Sequence, residues 1–314
     1  MEDKFWKREG WRRFWTAFSL TLLVMLPGFA AAWAAAPVPP QPAAERQRNI
    51  PIRLPDESHQ QTILAAVAGE HPAFVLVRLD AVEGTLALAA IPAESVVRTE
   101  NSGQTLADCY AATGPARVAR LLAETLEIPV DRYVAATPET WQAILEDAGP
   151  VRVGLNGALT ASQRQLAGLA EDAESWTVLG AHRFLEHLQA LQEQRLPPQS
   201  AAAARAVLWA GWSRQKLELL PGLVPSGLKK YSSRLLTNLT ATELLSLEQT
   251  LEFLADGQAE VTAGAMPGIW NGETGRYEFS EETLRWVQEV QGGGTAVCRD
   301  PWEKPAHSAS EAQA

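Results

Sequence analysis

The apolar positions of the chain fall into two rhythms. Phe74 to Leu79 and Thr85 to Ile91 are almost unbroken apolar runs, joined by a turn that holds Asp80, Glu83 and Gly84. Two such runs around an acidic, glycine-containing turn predict a β-hairpin within a buried sheet. The rhythm then changes. After Gly114 and Pro115, the residues Val118, Leu121, Leu122 and Leu126 recur at helical spacing until Pro129 stops them. Proline is well placed there, because the first helical position needs no N–H. Asp131 to Ala136 reads as a return to the sheet, and Gln61 to Ala68 as a strand before the hairpin. Further along, Pro138 to Ala148 reads as a helix capped by Thr137, and Val151 to Leu155 as a strand. Ser175 to Gln194 reads as one long helix ended by Pro197 and Pro198, and Ala201 to Leu220 as another. Thr240 and Glu243 form a capping box for a helix over Ala241 to Ala255, and Ser280 caps Glu281 to Val290. No internal repeat is visible. Strands interleaved with helices predict an α/β fold, with a mixed central β-sheet sandwiched between helices.

Charge and hydropathy divide the 314 residues further. The formal net charge is −10. Residues 1–13 carry five basic and three acidic side chains, so the remainder, with 22 basic and 34 acidic, stands at −12. An acidic body is a poor partner for phosphate backbones, and nucleic acid is excluded as a non-specific ligand. Phe14 to Ala36 holds no charged residue over 23 positions, enough for a membrane-spanning helix. The basic residues before it predict a cytoplasmic N-terminus, and hence a single-pass protein of the cell membrane with its body extracytoplasmic. Ala32-Trp33-Ala34 leaves open a cleaved signal peptide, which places the body on the same side. Trp6, Trp11, Trp15 and Trp33 flank the span, as interfacial anchors do. Residues 37–60 read as a proline-rich linker, 61–291 as the folded domain and 292–314 as a disordered tail. Cys109 and Cys298 are the only cysteines; they read as free thiols, with no metal or redox spacing.

Within the domain, a set of short segments is similar in order and spacing to a known family. The set is Ala90-Ile91-Pro92-Ala93-Glu94, Thr105-Leu106-Ala107-Asp108-Cys109-Tyr110, Gly114-Pro115 and Glu127-Ile128-Pro129-Val130-Asp131-Arg132-Tyr133-Val134. A closing pattern follows: Val261 to Gly268, Asn271-Gly272 and Arg276 to Phe279. Together, over roughly Gln61 to Val290, they resemble the LytR-CpsA-Psr family of cell-envelope glycopolymer transferases. The resemblance implies an α/β/α extracytoplasmic domain. It also implies transfer of a glycopolymer phosphate from a polyprenyl-pyrophosphate carrier to peptidoglycan. Such chemistry asks for arginines that grip the pyrophosphate, carboxylates that hold Mg²⁺, and an apolar channel for the isoprenoid.

Position by position, that equipment is thinned. Ala93 stands where the family has arginine, Glu94 where it has an acid, and Pro72 where it has a Mg²⁺-binding aspartate. Leu188 and Ala190 occupy two helix arginine positions, and the next motif, around Gln199, Ala202, Arg205 and Ala206, keeps only Arg205. Removal of a single preorganised donor costs about 3 kcal/mol of transition-state stabilisation. A chain lacking about four such arginines and a metal carboxylate is therefore expected to be catalytically degenerate, binding lipid carrier or a partner. The resemblance points to Arg205 and Glu94 as the catalytic pair, and Arg78, Arg98 and Trp209 stand as substrate-binding residues. Mg²⁺ enters only if the chain is active, and the expected partners are the membrane, a polyprenyl-linked glycopolymer and peptidoglycan. Two other readings stay open. One is an active phosphotransferase with a relocated arginine set (Arg78, Arg98, Arg195, Arg205). The other is a structural membrane-anchored protein whose channel is filled by its own side chains. His182 and His187, five apart, miss the i, i+4 geometry of a metal pair and read as a solvated helix face. Trp209 and Trp212 read as helix core, or as channel lining if the channel persists. No Gly-x-Ser-x-Gly elbow supports a serine hydrolase.

Overall fold

The structure is a computed structural model that describes residues 54–98, 103–154, 158–167, 177–192 and 196–291. The basic tail, the apolar span, most of the linker, Arg195, Cys298 and the C-terminal tail lie outside the described residues. Among the helices described, none is long and apolar enough to cross a membrane.

The domain opens with a 3₁₀ turn at Glu57–His59, capped by Asp56, which leads into β1 (Gln60–Val67). β2 (Ala73–Asp80) and β3 (Thr85–Ile91) form the expected hairpin, with Phe74 opposite Ile91 and Asp80 opposite Thr85. Its turn is closed by the Asp80 carboxylate, which accepts from the backbone N–H groups of Val82 (3.1 Å) and Glu83 (3.0 Å). Two helices, α1 (Leu106–Thr113) and α2 (Pro115–Leu126), carry the chain over the sheet to β4 (Arg132–Ala136), which runs parallel to β1. Then come α3 (Pro138–Glu146), β5 (Val151–Val153), α4 (Ala161–Leu166), β6 (Thr177–Leu179), α5 (Ala181–Gln192), α6 (Pro198–Lys216) and α7 (Leu220–Lys230). The chain closes through β7 (Leu235–Thr237), α8 (Ala241–Asp256), β8 (Glu260–Ala265), the hairpin of β9 (Ile269–Asn271) and β10 (Arg276–Glu278), and α9 (Glu281–Gln291). The main sheet has the order β7-β4-β1-β2-β3-β8 and is mixed.

Alternation along the strands gives each face its own core. Phe74 and Leu76 join Leu64, Val118, Leu121, Leu122 and Leu126 on the α1–α2–α9 side. Val75 and Leu79 join residues of α3 and α5 to α8 on the other. This is the layered α/β arrangement expected from the sequence.

Local signals hold where they are strong. Thr137 caps α3, and Thr240 with Glu243 makes the capping box of α8. Two expectations are corrected. Ser175 to Gln194 is not one helix: β-branched Thr177 and Val178 with Leu179 pair antiparallel with Val151–Val153, and α5 starts only after Gly180. The helix from Ala201 to Leu220 instead covers Pro198–Lys216 and is followed by α7. Pro221, Gly222, Pro225 and Gly227 disguise α7 as loop, since all four are poor helix formers. Packing overrides that preference. Gly227 brings the α7 backbone so close to α3 that an added Cβ would lie 2.9 Å from Ile144 Cγ2.

Candidate functional site

Two cavities meet at one side chain. The first, about 160 Å³, lies between the sheet and the helices α3 and α5 to α8. It is apolar: Val75, Val77, Leu88, Leu188, Val224, Leu228, Leu247 and Leu251 line it, together with Trp141, Trp209 and Trp212. Trp209 is the hub of the aromatic wall, edge-on to Phe184 (5.2 Å), Trp141 (6.1 Å) and Trp212 (6.1 Å). Trp141 turns its indole N–H to the carbonyl of Ala66 at 3.1 Å, so its polar edge is satisfied by the sheet. The second cavity, about 390 Å³, is polar and lies beyond the ends of β1 and β3. Glu70, His71, Glu94, Thr105, Asp108 and Arg276 line it, with Pro72, Ala93 and Leu191 among its apolar walls. Arg205 lines both cavities.

Arg205 reaches that junction because α6 lies against β3 and β8. The helix is almost all alanine on its buried side: Ala201, Ala202, Ala204 and Ala206 leave room for one long side chain. The arginine is 5% exposed, and its Nε has no hydrogen-bond partner. Burial pulls its pKa down to about 10, partly countered by the charge of Glu94. A guanidinium so placed is held at a cost, because desolvation of the charge is not fully met by protein groups.

Glu94 owes its place to two neighbours of its segment. Ala107 N–H donates to the Ala93 carbonyl (2.9 Å), and Leu106 N–H to that of Ser95 (2.9 Å), fixing the segment against the start of α1. On the other side, Tyr277 N–H donates to the Glu94 carbonyl (3.0 Å) and Val96 N–H to that of Tyr277 (2.8 Å). The Tyr277 hydroxyl is buried, donates to the Met266 carbonyl (2.9 Å) and is pushed up to about 12, chiefly by burial. The 93–96 segment is thus stitched between α1 and β10.

The remaining sequence-derived candidates divide. Trp209 lies in the apolar cavity beside Arg205. Arg78 does not join them. It sits toward the far end of β2, opposite Thr62 and Ala87, and its Nη2 donates to Asp80 at 3.1 Å. Arg98 is exposed and pairs with Glu127 at 3.1 Å. Arg214 spends its Nη2 on the Val261 carbonyl at 2.8 Å. The relocated set is therefore not assembled at Glu94 by the described residues. Leu188, at an expected arginine position, lines the apolar cavity instead, and Ala202 and Ala206 are fully buried. His182 pairs with Glu186 at 3.2 Å, and the His187 ring shares a 2.8 Å hydrogen bond with the Arg183 carbonyl.

For Mg²⁺ the donor set does not fit. No group of three ligating side chains is present among the described residues. Asp108 is committed to Thr105, accepting from its hydroxyl at 2.8 Å and from its N–H at 3.2 Å, and Glu70 and Glu94 are the other carboxylates lining the polar cavity. Sequence reasoning missed Arg276. Its segment was recognised as a closing strand, but nothing local says that the side chain borders the Glu94 cavity.

A scan against protein-family models finds no match, and a search of curated proteins finds none either. Solved structures do match. A Eubacterium siraeum protein, solved as a candidate transcription regulator, superposes with a TM-score of 0.63 at 15% identity, over 79% of this chain and 97% of that one. TagV of B. subtilis gives 0.55 at 16%, over 75% and 97%. TagT bound to LI-WTA gives 0.57 at 14%, over 76% and 93%. Likeness at this level establishes a shared fold. TagT, TagU and TagV are LytR-CpsA-Psr proteins, so the fold is the one the sequence resemblance implied.

Proposed function

We propose that this chain is a divergent LytR-CpsA-Psr-type envelope protein that binds a polyprenyl-linked glycopolymer carrier and does not transfer the polymer. One observation carries the reading: Arg205 is buried, its Nε unpartnered, and it lines both an apolar cavity and a polar one. An amphiphile with an apolar chain, a phosphate and a sugar has that sequence of environments. The isoprenoid goes to the tryptophan-lined side, the phosphate to Arg205 and the glycan to the polar side. The neighbours' ligands agree in class, since TagT is solved with LI-WTA and with LIIa-WTA, glycopolymer ligands of the wall teichoic acid type. The proposed absence of transfer rests on the alanines and leucine at the arginine positions. The apolar N-terminal span would hold the body at the outer membrane surface, where such carriers reside.

The apolar cavity has room for about one benzene-sized group, so a long chain needs more space. α7, which contributes Leu220, Val224 and Leu228 to the wall, is the element able to supply it. Pro225 within it removes a backbone hydrogen bond. The test is intrinsic tryptophan fluorescence of the full chain, titrated with farnesyl pyrophosphate and with dimethylallyl pyrophosphate. Saturable quenching that is stronger for the longer chain and lost in Arg205→Ala is the expected result. No saturable response to either lipid would overturn the reading.

A further inference from the structure

We propose that Arg276 is a second phosphate-gripping residue of this site, taking the sugar-side phosphate of a carrier pyrophosphate whose lipid-side phosphate rests on Arg205. The assignment depends on the carrier-binding reading above. Ala93 leaves its wall of the polar cavity without a guanidinium, and Arg276 lines the same cavity from the facing hairpin. The placement is built by the backbone. Ser95 and Tyr277 form a parallel bridge, with Tyr277 N–H donating to the Glu94 carbonyl at 3.0 Å. Arg276 is thereby fixed next to the residue paired with the Glu94 segment.

The hairpin itself is stiff. Asn271 Oδ1 accepts from the N–H groups of Glu273 (3.1 Å) and Thr274 (3.2 Å), and the buried Tyr277 ring anchors its base. The guanidinium also has a prepared seat. A Cβ on Gly103 would stand 2.6 Å from Arg276 Nη1 and 3.0 Å from Cζ, and Gly103 has φ of +100°. Glycine is favoured there by the backbone conformation; the exposed Arg276 side chain could shift to admit a Cβ.

Charge and geometry then say what the seat is for. One guanidinium grips one phosphate through a pair of parallel N–H···O bonds, and a pyrophosphate carries two phosphates. Buried Arg205 faces the lipid side, whereas Arg276 is exposed at the polar mouth, where the sugar-linked phosphate would lie.

The experiment measures affinity of the full chain for farnesyl pyrophosphate and for farnesyl monophosphate. The expected result is that Arg276→Ala weakens the pyrophosphate by about tenfold or more, the loss of one charge-assisted pair, and moves the monophosphate less than about twofold. Arg276→Lys, which keeps the charge and loses the fork, falls between. Arg205→Ala weakens both lipids. Equal loss on the two lipids, or no loss on either, overturns the role of Arg276 while binding by the unaltered protein upholds the carrier reading. Failure of the unaltered protein to bind either lipid overturns both.

Discussion

The two faces of the sheet use the same kind of strand residues to opposite ends. On the α1–α2–α9 side, Leu64, Phe74, Val118, Leu122 and Leu126 are each 0% exposed. Aliphatic and aromatic side chains interlock there, with α2 contributing a clean apolar stripe. On the α3 and α5 to α8 side, residues just as apolar enclose empty volume, the layer contains four poor helix formers in α7, and buried Arg205 lines that volume, whereas buried Arg78 of the closed side is paired with Asp80. Close packing is the default of protein interiors. A face that departs from it, with a charge at the mouth of the void, is organised for something other than stability. One half holds the fold together, and the other is the half proposed to receive a ligand.

The largest effect that would sharpen this contrast is in the closed half. Leu122→Ala should cost about 3–5 kcal/mol in denaturant unfolding, the range for truncating a fully packed leucine. Leu228→Ala, beside the existing cavity and on deformable α7, should cost no more than about 3 kcal/mol, because its surroundings collapse more easily. Equal losses would erase the distinction between the faces.

Next in size is Arg205→Met. The shift of Arg205 from the ordinary 12.5 to about 10 corresponds to about 3 kcal/mol held against folding. The sign follows from the direction: the folded form resists protonation, so the penalty is fully present below pH 10 and lifts only between about pH 10 and 12.5. At neutral pH, Arg205→Met should therefore stabilise the chain by about 1–3 kcal/mol while abolishing lipid binding. Destabilisation together with retained binding would place Arg205 among structural residues.

Smaller again is Ala65→Leu at a residue of β1 that lines the apolar cavity, which adds three carbons there. Stability should change by less than about 1.5 kcal/mol, and farnesyl pyrophosphate should bind about tenfold more weakly, as seen by tryptophan quenching. The smallest effect is a pH dependence. His187 titrates below its ordinary value, mainly through burial. The unfolded chain then takes up a proton that the folded chain refuses, and stability should fall modestly from pH 7.5 to 5.5. His187→Gln should flatten that slope in urea titrations at the two pH values.

What the sequence made legible was local. The β2–β3 hairpin, α2 and the caps at Thr137 and Thr240 each announce themselves within a few residues, through alternation, period or a capping oxygen. Arg205 is picked out by the family motif spacing, and Trp209 by its pairing with Trp212 on one helix face. The rest depended on distant partners. β6 exists only because Val151–Val153 accepts it as a neighbour, and α7 is a helix only because α3 and α8 pack against it. Strand alternation could have ruled out Arg78 as a ligand of the cavity, since it shares the parity of Phe74 and Leu76, which face the closed side. Arg276 had no such signal. Its approach to Glu94 is made by a bridge between segments far apart in the chain.

Arg205, which lines both cavities, is proposed to bind a lipid carrier without processing it. The most direct test incubates the full chain with farnesyl pyrophosphate and Mg²⁺, and measures bound lipid and released phosphate in the same samples. The account predicts saturable binding that disappears in Arg205→Ala, with phosphate release no higher than in protein-free controls. Release that rises with enzyme concentration and is lost in Arg205→Ala would contradict it, and would make this chain a working phosphotransferase.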